Sequence, residues 1–211
     1  MANQINEPLT GRKTDFWLFP FSYGELALHN SDIAERNSLA TRLIYGTYPA
    51  VINNPGHERE TLKTLANEYL YRDAFALQEL RKPELLINLL KALALQMGNQ
   101  VSFAELGKML KVSSPTVERY IQLLEQAFII FRLGAFSRNL RTELSKTRKI
   151  YFYDCGIRNA LIGNFSSLAD RNDVGALWEN YLVSERKKYL EYNRVWNRSL
   201  PRAAPEALGI F

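Results

Sequence analysis

The stretch that most limits what this chain can fold into runs from Val101 to Tyr153, where two short helical patterns meet at a tight polar turn. Ser102 is placed to cap the first helix, and Glu105, three residues on, can reach back to complete a capping box. Phe103, Leu106 and Leu110 then recur at helical spacing. After the turn Lys111–Ser113, the pair Ser114-Pro115 restarts a helix with a cap residue and a proline at its first position. Val117, Ile121 and Leu124 form its buried stripe, which turns Thr116, Glu118, Arg119 and Gln122 outward. Phe128–Leu133 and Ile150–Tyr153 are rich in β-branched and aromatic residues and read as a strand pair. Two helices, a turn and a hairpin predict a winged helix-turn-helix.

Charge points this unit toward nucleic acid. A helix-turn-helix places its second helix in the major groove, with outward side chains on base edges. The hairpin carries Arg132, Arg138, Arg141, Lys146, Arg148 and Lys149 against the lone acid Glu143, an excess that equals the whole chain's net charge of +5. Basic charge gathered on one hairpin suits phosphate contact. Thr116, Arg119 and Gln122 are the candidate base or phosphate contacts, and Arg138, Arg141, Lys146 and Arg148 the candidate backbone contacts. A winged helix can also dock protein, and Glu118 and Glu125 dilute the charge of its second helix.

The remaining chain narrows the function classes. No apolar run approaches the ~18 residues of a membrane span, and Met1–Asn6 has no signal-peptide character. The single cysteine, Cys155, allows no internal disulfide and fits a reducing cytoplasm. His29 and His57 stand alone and read as surface residues rather than metal ligands. There is no GxxxxGK[ST] loop and no GxGxxG after a strand. Neither histidine offers a base to a nucleophile. The residues predict no catalytic or cofactor-binding site and no bound metal.

In chain order, Asp15–Phe19 reads as a strand ended by Pro20, and Phe21–Leu28 as a helical turn. Ser31–Tyr45 reads as one helix with Ile33, Leu39, Leu43 and Ile44 as its apolar side. Gly46–Gly56 is a loop. Glu58–Tyr71 is a helix, Ala74–Leu80 a connector, and Pro83 opens a Leu-rich core helix that Gly98 ends. Asp154 can cap the helix after the hairpin, with Arg158 one turn on as its ion-pair partner. A long helix is expected over Val174–Tyr192, with Val174, Leu177, Trp178, Tyr181 and Leu182 inward and Arg186, Lys187 and Lys188 solvated. From Asn193 the sequence has no period of either kind.

Several of these stretches together resemble a family of prokaryotic AAA-type P-loop ATPases. They are Gly46-Thr47-Tyr48-Pro49, Tyr69–Asp73, Lys149–Asn159, Arg171–Gly175 and Glu179-Asn180. Leu9–Arg12 with Phe16–Phe19 is similar to the exit from the ATPase module. The resemblance covers about Pro8 to Tyr192. It implies a P-loop module followed by a winged helix and a restriction-endonuclease-like domain of unknown function. ATP and Mg²⁺ are implied for intact members, and Arg12 matches a position close to the module's last strand. Glu179 matches the helical acid of the nuclease-like fold, and a lone Glu cannot hold a hydrolytic metal site. The chain thus resembles a fragment without the P-loop and without the end of the nuclease-like domain.

The expectation is a mainly α, α+β chain in five segments. They are an ATPase-module remnant over 1–50, a helical connector over 51–100, the winged helix over 101–153, the start of the nuclease-like domain over 154–192 and an irregular tail over 193–211. Its expected role is that of a non-catalytic, cytoplasmic part of an ATP-binding protein that binds or positions DNA. The alternative is a winged helix that docks protein or drives self-association.

Overall fold

The computed structural model describes residues 17–68, 83–133 and 148–193. The chain is mainly helical with one small antiparallel sheet, which agrees with the expected class. Ten α-helices occur among the described residues: α1 Tyr23–Asn30, α2 Asp32–Asn37, α3 Leu39–Tyr45, α4 Pro49–Ile52, α5 Glu58–Glu68, α6 Pro83–Leu95, α7 Phe103–Leu110, α8 Ser114–Gln126, α9 Cys155–Ile162 and α10 Val174–Tyr192. The strands are β1 Gln100–Val101, β2 Ile130–Leu133 and β3 Arg148–Phe152, in the spatial order β1-β3-β2. Ile130 faces Phe152 and Leu133 faces Lys149, while Gln100 faces Lys149 on the other edge of β3.

One apolar cluster joins these elements. It runs from Leu43 in α3 through Leu62 in α5, Leu86, Leu89, Leu90 and Leu93 in α6, and Leu106 in α7. It continues through Val117, Ile121 and Leu124 in α8 and Ile130, Ile150 and Phe152 in the sheet to Leu177 and Tyr181 in α10. The Leu-rich helix predicted from Pro83 is therefore core, and it stops where Gly98 takes φ +77°. Side chains alternate along a strand, so β2 turns Ile130 into this core and Phe131 to the opposite face. There Phe131, Tyr151, Tyr153 and Val183 form a second, smaller cluster.

The helix ends explain the turns. Ser22 and Glu25 form a full capping box at α1. Ser102 Oγ accepts from the Glu105 N–H at 3.3 Å, as the sequence predicts. The cap of α8 lies one residue earlier than predicted: Ser113 Oγ accepts from the Thr116 N–H, which puts Ser114 and Pro115 inside the first turn. Two helices close with the same device. Val112 N–H reaches Gly107 C=O, and Ile129 N–H reaches Leu124 C=O, around Lys111 at φ +56° and Phe128 at φ +55°. These are the paired bonds of a Schellman cap, in which the left-handed residue is usually glycine. At the first of them a Cβ on Gly107 would press against the Val112 carbonyl at 2.7 Å, which keeps that position a glycine and the turn tight.

Several expectations are corrected. The helix expected over Ser31–Tyr45 is two, α2 and α3. Ser31, at φ +103°, caps α2, and Ser38 Oγ donates back to the Ala34 carbonyl at 3.0 Å, a bond that competes with helix continuation. Ile33 consequently faces solvent at 75% exposure, and Glu35 takes the buried position instead. The strand expected from Phe128 begins at Ile130, because Phe128 closes α8. Gly46–Gly56 is not all loop, since Pro49 starts the one-turn α4. Trp17–Phe19 forms no strand: Trp17 packs on Phe128, and Phe19 stacks on Tyr153 at 5.4 Å. The expectations for Arg12, Tyr69–Asp73, Ala74–Leu80 and the tail after Asn193 lie outside the described residues.

Ile121 is fully buried in the centre of the main cluster. Ile121→Ala should lower the unfolding free energy by about 2–5 kcal/mol with an unchanged urea m-value, measured by urea denaturation.

Candidate functional site

Helix α8 presents the expected outward face. Val117, Tyr120, Ile121 and Leu124 are buried, Arg119 and Gln122 are exposed, and Thr116 is partly exposed beside the Ser113 cap. At ~100° per residue, Gln126 joins Arg119 and Gln122 on the same exposed line, a position the sequence reading did not single out. Arg138, Arg141 and Lys146 lie outside the described residues. Arg148 pairs with Val101 in the sheet through its backbone.

Two of the six hairpin cations are ion-paired with helix acids, which corrects the charge expected there. Arg132 Nη2 meets Glu125 Oε2 at 2.5 Å, and its backbone N–H donates to Glu125 Oε1 at 3.0 Å. Lys149 Nζ donates to Glu179 Oε1 at 2.8 Å, and Tyr151 Oη donates to the same oxygen at 2.6 Å. Burial alone would raise the Glu179 pKa, but the hydrogen bonds from Lys149 and Tyr151 carry it below the usual carboxylate value. The sequence could not show either pair, because each joins residues from different elements.

The second concentration of chemistry is a buried polar network. It gathers the described stretches on which the sequence resemblance rests. Asp154, expected as a cap, accepts from the Ile157 N–H at 3.0 Å and also from the Thr47 N–H at 2.7 Å, 107 residues away. A Cβ on Gly46 would overlap this carboxylate, and one on Gly156 would overlap the Tyr45 carbonyl, so both positions require glycine. Burial raises the Asp154 pKa against the backbone donors of Thr47 and Ile157. Burial likewise pushes the Cys155 thiol up to about 12, which makes it an unreactive neighbour.

Arg158 does not pair with Asp154, contrary to the one-turn expectation. It turns the other way, to Asp173 and to the Ala94 carbonyl at 2.8 Å. Arg171 binds the same Asp173 through two nitrogens, at 2.8 and 2.9 Å, and reaches Asn159 Oδ1 at 2.9 Å. Asn159 in turn donates to the Leu43 and Ile44 carbonyls at the end of α3. Asn180 accepts from the Phe152 N–H at 2.8 Å and donates to the Phe152 carbonyl at 3.1 Å.

Lys188, expected at the surface, is 2% exposed and donates to Glu185 and to the Phe21 carbonyl. Glu185 also accepts from the Tyr23 N–H at 2.7 Å. Arg42 grips Glu35 through two nitrogens at 2.6 and 3.0 Å. Arg42, Thr47, Asp154, Tyr181 and Lys188 help line a cavity of about 10 Å³, the room of roughly one water. Most donors here hold a neighbouring element, so the network acts as a clamp, although the buried Tyr181 hydroxyl at the cavity has no hydrogen-bond partner. Among the described residues no group of three or more His, Cys, Asp or Glu could hold a metal ion. No described helix is long and apolar enough to cross a membrane.

Residues 36–168 match the family model described as "Domain of unknown function (DUF8612)". The chain belongs to this family. The matched DUF8612 region takes in both helices of the α7–α8 pair, the sheet, and the Gly46, Asp154 and Asn159 part of the clamp. The chain is 31% identical over 101 residues to "Uncharacterized protein Rv2008c" of Mycobacterium tuberculosis and, equally, to "Uncharacterized protein Mb2031c" of Mycobacterium bovis. That match covers 47% of this chain and 23% of each relative. An "Uncharacterized protein" of Haemophilus influenzae is 22% identical over 174 residues, 77% of this chain and 43% of the relative. The chain therefore spans less than half the length of these curated relatives. No solved structure matches it.

Asp173 supplies a test of the clamp. Hydrogen bonds from Arg171 and Arg158 and the charge of both hold its pKa at about 2, below the ordinary value, despite partial burial. A depressed carboxylate pKa gives stability that is fully present above the unfolded value of ~4 and is lost as pH falls toward 2. Thermal melts should show the wild type's advantage over Asp173→Asn at pH 6 shrinking steadily between about pH 4 and pH 2. An advantage that stays constant would mean that Asp173 does not bind its arginines as a carboxylate.

Proposed function

We propose that the α7–α8 pair with the β-sheet is a winged helix that binds or positions DNA, in a chain with no chemistry of its own. One observation carries this reading. Helix α8 buries one stripe and turns Arg119, Gln122 and Gln126 to solvent, directly before two antiparallel strands whose connection holds Arg138, Arg141 and Lys146. The polar turn at Lys111 joins α7 directly to α8, the kind of short connection a helix-turn-helix uses. The clamp supports the non-catalytic part of the reading, because its charged groups are engaged in holding elements together.

We infer further that the chain works within a longer AAA-type ATP-binding protein, for which ATP and Mg²⁺ would be the cofactors. What supports this is the order of the stretches from Gly46 to Asn180 and the greater length of the curated relatives. ATP turnover by the Haemophilus influenzae relative would support the inference, and nucleotide-independent behaviour would oppose it.

Protein docking is the second reading. Leu28 and Ile33 at 91% and 75% exposure, with Trp17 at 46%, favour it, since large exposed apolar side chains suit association. A stable oligomer in light scattering that is indifferent to DNA would decide for docking.

The DNA reading predicts binding of a ~20-base-pair duplex in fluorescence anisotropy that weakens steeply between 50 and 200 mM salt. Each neutralised phosphate contributes a slope of about 0.9 in log K against log salt. Arg138→Glu with Arg141→Glu should weaken binding at least tenfold and flatten that slope by about two. Unchanged binding would remove the hairpin from the interface.

A further inference from the structure

The acids of helix α8 stand in the way of a DNA-reading helix, and the fold deals with them in a specific manner. Glu118 and Glu125 lie on one flank of α8, ~80–100° from the centre of its buried stripe at Val117. That flank faces β2. Arg132 sits on the β2 face that also carries Ile130, the face covered by α8, and its side chain is only 16% exposed. Its guanidinium meets Glu125 at 2.5 Å and approaches Glu118 at 3.8 Å. The nitrogen nearest Glu118, Nη1, is buried without a hydrogen-bond partner. Glu125 is further fixed by the Arg132 backbone N–H at 3.0 Å.

We propose that Arg132 is a positioning residue that masks the Glu125 carboxylate of the reading helix. It holds that carboxylate against the sheet and away from phosphates, and does not touch DNA itself, while Glu118, with its side chain 45% exposed, stays open to solvent. The proposal rests on the DNA reading above and deepens it. The physical logic is that an exposed carboxylate ~8–10 Å from a phosphate repels it at low salt, whereas one bound to a guanidinium under the helix presents little net charge. A half-buried arginine beneath its own helix is also poorly placed to reach a phosphate.

The test is a mutant cycle on the full chain, read as duplex affinity at two salt concentrations. Arg132→Gln should weaken binding about tenfold at low salt and leave the slope of log K against log salt within about half a unit of wild type, because no phosphate contact is lost. Glu125→Gln should bind within about twofold of wild type, since the masked acid opposes nothing. In that background, Arg132→Gln should change affinity less than about twofold. Four results would overturn the proposal: an equal loss in both backgrounds, a slope reduced by about one, no effect of Arg132→Gln, or a large gain from removing the Glu125 charge alone. The Glu125→Gln variant keeps the proposal testable even if Arg132→Gln does not fold. A wild-type chain that binds no duplex at low salt would instead overturn the DNA reading and the masking role with it.

Discussion

The fold depends on the buried carboxylate of Asp154. One oxygen accepts from the first turn of α9 and the other from Thr47, so a single side chain fastens the loop after α3 to the element that follows the sheet. An ionised carboxylate with no water is costly to bury unless its oxygens are hydrogen-bonded. Here the loop comes close enough to supply that bond because Gly46, at φ +72°, has no Cβ. The same economy recurs at Gly156, which lets α9 approach the carbonyl of Tyr45. Asn159 then ties down the end of α3, and the Arg158–Asp173–Arg171 group fixes the start of α10. The helices on either side of the sheet are thereby registered to one another by polar contacts as well as by the shared apolar cluster.

Much of this fold could be read from the sequence, and the failures share a cause. The Leu-rich stripe of α6, the span of α10, the cap at Ser102 and the pairing of two strands all follow from local spacing. What spacing could not show is which of several polar residues goes inside. Ile33 fits a helical stripe, yet Ser38 breaks the helix and Glu35 is buried in its place. Lys188 follows two partly buried cations, Arg186 and Lys187, in sequence, but Glu185 and the Phe21 carbonyl draw it fully inward. Arg158 is one turn from Asp154, and the partner that wins it, Asp173, is 15 residues away. Periodicity finds apolar faces, whereas a buried ion pair is settled by elements that meet only in three dimensions.

The candidate interface divides in the same way. Thr116, Arg119 and Gln122 are legible because a helix with three buried positions dictates which others face out. The net charge of the hairpin is not, because counting cations ignores where the acids fall. Arg132 and Lys149 are paired with Glu125 and Glu179, so counting cations overstates the positive charge that β2 and β3 offer a partner. The fold thus ties Glu125 of α8 to a hairpin cation, and the loss of the acid matters more to a phosphate-binding face than the loss of the cation.

Asn180 has a consequence for the molecule's fate in a crowded solution. Strand β1 is only two residues long, so beyond Lys149 this edge of β3 has no neighbouring strand among the described residues. At Phe152 the Asn180 amide takes both the N–H and the C=O, as the peptide unit of a fourth strand would. A bare strand edge is a template on which another copy can add, and that is a common first step toward aggregation. One side chain on α10 closes that docking point, so the sheet ends where it does without the bulk of another strand.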